Sequence, residues 1–271
     1  MSPLRRWTVL TVAAFYIGLT KSGFAGGTGI LVTPLLAMVF PAKETVALVL
    51  PLLFLSDIIN FKLYWGTWNL RVVAPVIPGA ILGVALATRL LVRLRDDALK
   101  RTIGGLALLF LPIQVARMTL WRDLDPALLP LAGVVALGLA AGFLTGVFST
   151  MAHLGGVITT IYFLLMLPPE AKLSATLVGT ATLLYFVVNG VKLITYARAG
   201  IVHGGILRQI PPLLPPLGLG LLVGKGVNRW FEGRETAFVA IILAIVAVMG
   251  WKLLRTPRLS APATDRPSES S

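Results

Sequence analysis

The chain has 271 residues, of which 56% are hydrophobic and only 13% charged, and its mean hydropathy is +0.87. Soluble domains carry about 25% charged residues, so this composition excludes a water-soluble globule, a disordered chain and a collagen-like fibre and indicates an integral membrane protein. The 24 Lys and Arg against 11 Asp and Glu give a net charge of +13, which in a membrane protein is typical of basic cytoplasmic loops.

Eight apolar runs are long enough to consider as membrane segments. They cover residues 7–40, 44–61, 72–92, 102–116, 127–167, 173–191, 204–224 and 236–254. The first and fifth would measure about 50 and 60 Å as straight helices, whereas the hydrocarbon core of a bilayer is about 30 Å thick. Each must therefore break, and the glycine-rich segments 21–29 and 145–156 mark where.

Matching residues in the two halves predict an internal duplication. The offset is 127 for Gly29/Gly156 and Pro41/Pro168, 129 for Asn60/Asn189, 130 for Lys62/Lys192, and 137 for Pro75/Pro212 and Pro78/Pro215. Offsets that rise steadily are expected of two diverged copies with insertions, although Gly and Pro are common enough for some matches to be chance. We expect repeat 1 at 1–120, repeat 2 at 121–255 and a disordered tail at 256–271.

The predicted fold is an all-α polytopic membrane protein of about eight spans. It has eight to ten membrane elements, because the first helix of each repeat breaks at its glycine-rich segment. Five crossings per half would make the repeats inverted and place 15 basic residues inside against 8 outside; four per half would give 13 against 10. The positive-inside rule therefore favours inverted repeats and a cytoplasmic N-terminus.

The two breaks are the strongest candidates for a binding site. A broken membrane helix survives only against protein or a water-filled cavity, and the half-helix after the break presents free N–H groups to an anion. The predicted cradles are Gly26, Gly27, Thr28 and Gly29 in the first break and Leu154, Gly155, Gly156 and Val157 in the second, with hydroxyls from Ser22, Ser149 and Thr150. The alternative is that these glycines only allow close helix packing.

Ionisable and polar residues at membrane depth are further candidates. Lys21 could balance an anion or extend to the interface. Asp57, which shares a helix face with Asn60, could carry a coupling proton, but pairing with Lys62 is favoured.

The second half offers weaker candidates. His153 could titrate or be structural. Thr176 and Thr180 share one face, as do Tyr185 and Asn189, and could line a path or form plain interhelical hydrogen bonds.

Enzyme signatures are absent from the sequence. It has no phosphate-binding loop, no His-Glu-x-x-His and no Gly-x-Ser-x-Gly motif, and two histidines with no cysteine do not make a typical metal site. We therefore expect no enzyme activity, no cofactor and no metal. We also expect no nucleic-acid partner, because the basic residues lie singly or in small groups between the apolar runs. The alternatives to a transporter are an intramembrane enzyme using Asp57, His153 and Lys21, and a membrane scaffold.

Several motifs carry a resemblance to a known family. They are Gly18-x4-Gly23-x2-Gly26-Gly27-x-Gly29-x4-Pro34-Leu35-Leu36 followed by Pro41, then Pro78-Gly79-x3-Gly83, Gly155-Gly156, Pro168-x2-Ala171 and Ser174-Ala175-Thr176. Over residues 10–254 the chain resembles the sulfite exporter TauE/SafE family.

The resemblance implies a multi-pass bacterial inner-membrane permease built from a duplicated unit. It further implies export of a small anion, sulfite or an organosulfonate. The partners expected are that anion and the lipid bilayer, and the oligomeric state is left open.

Overall fold

Helix boundaries follow the polar and turn-forming residues between the apolar runs. The computed structural model describes residues 2–23, 31–119, 130–167, 175–231 and 235–257, and the regular secondary structure in these ranges is all helical. Its helices are α1 (Pro3–Gly23), α2 (Val32–Ala37), α3 (Ala42–Leu63), α4 (Leu70–Val73), α5 (Val76–Arg93), α6 (Asp96–Thr119), α7 (Leu131–Ala152), α8 (Gly156–Met166), α9 (Ala175–Arg198), α10 (Gly204–Leu207), α11 (Leu214–Phe231) and α12 (Glu235–Leu254).

The protein is an all-helical, multi-pass membrane protein, as predicted. Five segments of the described chain are helical, long and apolar enough to cross a bilayer: Ala42–Leu63, Leu70–Arg93, Ala132–Ala152, Ala175–Arg198 and Gly204–Gly224. Gly156–Met166 and Leu243–Leu254 are shorter apolar helices. The bilayer needs about 20 residues per crossing, so the five segments match its thickness.

The over-long run 127–167 is broken, as expected from its length. Helix α7 ends at Ala152 and α8 begins at Gly156. With 22 residues α7 is about 33 Å long and crosses a bilayer alone, whereas the 11 residues of α8 cover about 17 Å. The break is shorter than the predicted 145–156, because α7 stays helical to Ala152 and carries Ser149 and Thr150 on its last turn.

Helices α3 and α9 pack together and run antiparallel. Just beyond the C-terminal end of α3, the Thr67 hydroxyl donates to the Ala175 carbonyl at the start of α9 (3.2 Å). At the other end, Lys43 in the first turn of α3 lines one cavity with Ala199, which follows α9 directly. The start of each helix therefore lies beside the end of the other.

Many of the described basic residues gather at one end of the helix bundle. Arg6 near the start of α1 forms an ion pair with Glu44 in the first turn of α3. Asp96 at the start of α6 accepts from the Ala42 N–H (2.5 Å) and lies 3.7 Å from Lys100. We call this end the basic end and define it by Arg6, Lys43, Arg93, Arg95, Lys100, Arg101, Arg198 and Lys252. Because α1 and α3 both begin there, the chain returns to this end between them.

Two pairs of long helices approach closely through glycine. Helix α5 packs against α7, and α1 packs against α11. A Cβ atom added at Gly83 in α5 would overlap the Phe143 carbonyl in α7, and one added at Gly220 in α11 would overlap the Phe15 carbonyl in α1. Small residues allow this approach, which drives helix association in lipid.

Candidate functional site

A chain of polar contacts crosses the middle of the bundle and joins the end of α1 to the end of α7. The Lys21 ammonium pairs with one Asp57 oxygen (2.5 Å), and the Asn189 amide donates to the other (2.6 Å). Lys192 donates to the Asn189 side-chain oxygen (3.3 Å). We call Lys21, Asp57, Asn60, Ser149, His153, Asn189 and Lys192 the central cluster.

Lys192 is fully buried on α9 and holds the last turn of α7. Its ammonium donates to the Ser149 carbonyl (2.9 Å), to the Ser149 hydroxyl (3.1 Å) and to His153 Nδ1 (2.8 Å). A cation at the C-terminal end of a helix is stabilised by the helix dipole. One turn along α9, Tyr196 donates to the Thr150 carbonyl (2.5 Å), so two side chains of α9 clamp the α7 terminus.

His153 ends α7 in a left-handed conformation (φ 56°, ψ 27°), which non-glycine residues adopt rarely. The Lys192 ammonium has only hydrogens to offer, so Nδ1 of His153 is an acceptor and the ring proton is on Nε2. That Nε2–H donates to the Val46 carbonyl of α3 (3.2 Å). His153 therefore joins α7, α9 and α3 as a neutral ring, at the cost of a strained backbone.

The first turn of α8 presents unpaired donors beside the cluster. Among the described residues no acceptor meets the N–H groups of Gly156, Val157 or Ile158; the first that is paired belongs to Thr159, which donates to the Gly155 carbonyl (3.2 Å). Gly155 packs tightly on α7, since a Cβ there would lie 2.7 Å from the Thr145 carbonyl. The glycine thus brings the positive end of α8 against the last turns of α7.

With both lysines protonated, the cluster has an excess of positive charge. Lys21 and Lys192 then contribute two cations and Asp57 one carboxylate, which is 1% exposed. Among the described acidic side chains the only other buried one is Asp97, which pairs with Arg101 at the basic end (3.1 Å). No described carboxylate pairs with Lys192. A buried ammonium without a counter-ion is costly at membrane depth, so Lys192 holds its proton most easily when an anion binds beside it.

The structure brings together most of the predicted side chains that it describes. Lys21, Asp57, Asn60, Ser149, His153 and Asn189 belong to the cluster, and Asn60 donates to the Lys21 carbonyl (3.1 Å). Thr176 and Thr180 lie elsewhere, near the end opposite the basic end, where Thr180 accepts from the Asn69 N–H (2.9 Å). Gly26, Gly27, Thr28, Gly29, the Ser22 side chain and residues 258–271 of the tail lie outside the described residues.

One prediction was wrong and one residue was missed. Asp57 pairs with Lys21 on α1, whereas the predicted partner Lys62 is exposed at the end of α3. From the sequence, Lys192 was recognised as the match of Lys62 in the predicted duplication and not as a site residue. Its position within α9, directly after the apolar run 173–191 and three residues after Asn189 and hence on the same helix face, was the available signal.

Tyr185 faces the same cluster from α9, one turn before Asn189. Its ring lies 4.9 Å from the Lys21 nitrogen, and its hydroxyl donates to Thr159 of α8 (2.8 Å). A cation over a ring face is attracted by the ring's electron density. Tyr185 thereby links the first helix to the half-helix that follows the second break.

Comparison with known proteins gives one match. The family model described as Sulfite exporter TauE/SafE matches residues 10–253, nearly the whole chain. No curated protein and no solved structure matches.

Proposed function

Because the chain belongs to the sulfite exporter TauE/SafE family, we propose that it is a secondary transporter that exports a small oxyanion, sulfite or an organosulfonate. The observation that carries the proposal is the fully buried Lys192, which has no described carboxylate partner, within a cluster of net positive charge. A sulfite or sulfonate group would supply the missing negative charge and several strong acceptors.

The expected binding place is the second break, between Lys192 and the first turn of α8. The unpaired N–H groups of Gly156, Val157 and Ile158 follow Gly155, whose Cβ position is 2.9 Å from the Ser149 side chain that Lys192 contacts. A helix N-terminus and a lysine on neighbouring elements suit an oxyanion. By analogy, Gly26–Gly29 and Ser22 would serve the first break.

The helix packing supports the duplication into residues 1–120 and 121–255. Gly83 of the first half packs on Phe143 of the second half, and Gly220 of the second half packs on Phe15 of the first half. The two contacts are therefore equivalent, with the glycine and the phenylalanine each coming from the opposite half. Phe143 follows Phe15 by 128 residues and Gly220 follows Gly83 by 137, close to the offsets found from sequence. Eight helices of the described chain have 18 residues or more, which supports about eight spans.

The antiparallel course of α3 and α9 supports inverted repeats, because these two helices hold corresponding places in the two halves. Asn60 of α3 and Asn189 of α9, which match in sequence, both lie in the central cluster. In transporters with inverted repeats the substrate binds near the midplane at the repeat interface, and one repeat moves against the other to alternate access. We propose that mechanism here.

The distribution of charge supports a bacterial inner-membrane location with the N-terminus in the cytoplasm. The basic end contains the start of α1, and lysine and arginine are retained on the cytoplasmic side of bacterial membranes. The cavity at this end, about 510 Å³ in volume and lined by Lys43, Glu44 and His203, would then open to the cytoplasm.

Sulfite uptake by reconstituted vesicles tests the function. We expect wild-type protein to exchange radiolabelled sulfite across the membrane, and Gly156→Leu and Gly27→Leu to lose at least about tenfold of the rate, because a side chain would obstruct the N–H groups. Gly218→Leu is the control, since no described atom lies within 4 Å of a Cβ at Gly218. Full transport by both cradle variants would rule out the cradles, and no transport of any sulfur oxyanion by wild type would rule out the function.

His153→Gly separates a positioning role from a structural one. We expect sulfite uptake to fall about tenfold because Lys192 and the Val46 carbonyl lose their common partner. Thermal stability should stay close to wild type. Glycine adopts the left-handed conformation without strain, and this relief of backbone strain offsets the free energy lost with the hydrogen bonds. His203→Gly, at the exposed histidine of the basic end, is the control. A clear fall in thermal stability together with the fall in sulfite uptake would show that His153 has only a structural role.

A further inference from the structure

The geometry points to Asp57 as a counter-ion shared by Lys21 and Lys192: it pairs with one lysine at a time, and the transported anion binds the lysine that Asp57 leaves. This inference rests on the proposed function, because it assumes an anion that moves through the central cluster. In this inference the Asp57 carboxylate, which is fixed to α3, competes with the transported anion for the two lysine ammonium groups.

Asp57 is linked to both lysines through its two oxygens. One oxygen accepts from Lys21 at 2.5 Å; the other accepts from Asn189 at 2.6 Å, and the same Asn189 side chain accepts from Lys192 at 3.3 Å. Asn189 therefore separates Asp57 from Lys192 by a single amide group. A change of side-chain rotamers could exchange the bridge for a direct ion pair without moving the backbone of α3 or α9.

The two lysines lie at different depths. The Lys21 carbonyl accepts from Asn60, three residues further from the basic end than Asp57. Lys192 lies three residues, or about 4.5 Å, nearer the basic end along α9 than Asn189, which contacts Asp57. An anion that passed from Lys192 to Lys21 would move away from the basic end while Asp57 moved in the opposite sense.

Charge explains why the exchange should be coupled. When both lysines are protonated, two lysines and one carboxylate leave a single positive charge, which one bound monoanion neutralises wherever Asp57 is. If Asp57 and the anion held the same lysine, the other lysine would stay uncompensated in a medium of low dielectric constant. Among the described residues, the other polar groups that face Asp57 and its partners are Asn60 from α3, Tyr185 from α9, and Ser149 and His153 from α7, and none of these four carries a negative charge.

In the structure Asp57 holds Lys21, which leaves Lys192 for the anion. Removing the Lys21 charge should therefore release Asp57 to Lys192 and block it. We expect Lys21→Gln to weaken sulfite binding at least about tenfold, since a tethered carboxylate competes with the ligand at very short range. Adding Asp57→Asn should then restore binding to within about threefold of wild type, because Lys192 is open again.

Equilibrium binding of radiolabelled sulfite to the purified full-length protein in detergent makes the test, with exposed Lys62→Gln as the matched control. A double variant that binds as weakly as Lys21→Gln, or a Lys21→Gln variant with wild-type affinity, would overturn the inference. If Lys21→Gln does not fold, Asp57→Asn alone decides: tighter sulfite binding with slower vesicle transport supports the exchange, and unchanged or weaker binding refutes it. Failure of wild type to bind sulfite or methanesulfonate would instead refute the proposed function.

Discussion

Replacing Lys192 by methionine is expected to lower sulfite transport at least about 30-fold while the protein remains folded. Truncating one member of a buried, hydrogen-bonded charge pair costs about 2–5 kcal/mol of binding free energy, and 1.4 kcal/mol corresponds to a factor of ten. Methionine has nearly the length of lysine and fills the same space between α9 and the end of α7. It removes an uncompensated buried charge, which offsets part of the stability lost with the contacts to Ser149 and His153.

The measurement is sulfite uptake by vesicles together with the thermal unfolding midpoint of the same preparations. Lys62→Met is the matched control, because Lys62 matches Lys192 in the predicted duplication but is exposed. We expect it to transport as wild type does. Transport by Lys192→Met within about threefold of wild type would show that Lys192 only caps α7, since a caps-only role contributes about 1 kcal/mol or less.

The membrane architecture was predictable because the bilayer thickness sets the number of residues in each crossing, so the length of an apolar run indicates how many helices it forms. The run 127–167 could not be one helix, and its glycines located the break to within a few residues of His153–Gly155. The predicted break, 145–156, included the last turns of α7, whose glycine and hydroxyl residues have low helix propensity. Packing against Lys192 and Tyr196 overrides that propensity and keeps the turn helical.

The pairing inside the site was less predictable, because it depends on contacts between distant parts of the chain. Local spacing suggested Lys62 as the partner of Asp57, yet Asp57 meets Lys21 from another helix, 36 residues away. Lys62 at a helix end can reach water, so it gains little from pairing with a buried carboxylate. Asp57 at membrane depth requires a cation, and the cation nearest to it is set by how α1 docks on α3.

The asymmetry of the two halves follows from the same contacts. In the first half Asn60 of α3 donates to the carbonyl near the end of α1, whereas in the second half Lys192 of α9 donates to the carbonyl of Ser149 near the end of α7. Both α1 and α7 are thus held at their C-terminal ends by a donor from the neighbouring long helix. Only the second donor carries a charge, which places the uncompensated cation at the second break.

Glycine contacts fix how closely α1 packs on α11 and α5 on α7. Gly220 is buried against the Phe15 carbonyl of α1, while Gly218, two residues earlier on the same helix, has no described atom within 4 Å of a Cβ position. Backbone atoms cannot yield as a flexible side chain can, so a methyl group at Gly220 must push α1 and α11 apart. Because α1 carries Lys21 at its far end, such a shift would also disturb the pair with Asp57.

Gly220→Ala should therefore lower the unfolding midpoint sharply, with a loss of about 3 kcal/mol, whereas Gly218→Ala should leave it unchanged or raise it by up to about 1 kcal/mol through better helix propensity. Thermal unfolding of both variants in the same detergent compares one substitution at two neighbouring positions of one helix. Gly83→Ala should match Gly220→Ala, because it meets the Phe143 carbonyl in the equivalent way. If Gly220→Ala were as stable as Gly218→Ala, the close approach of α1 and α11 would be wrong; if only Gly83→Ala were harmless, the equivalence of the two interfaces would fail.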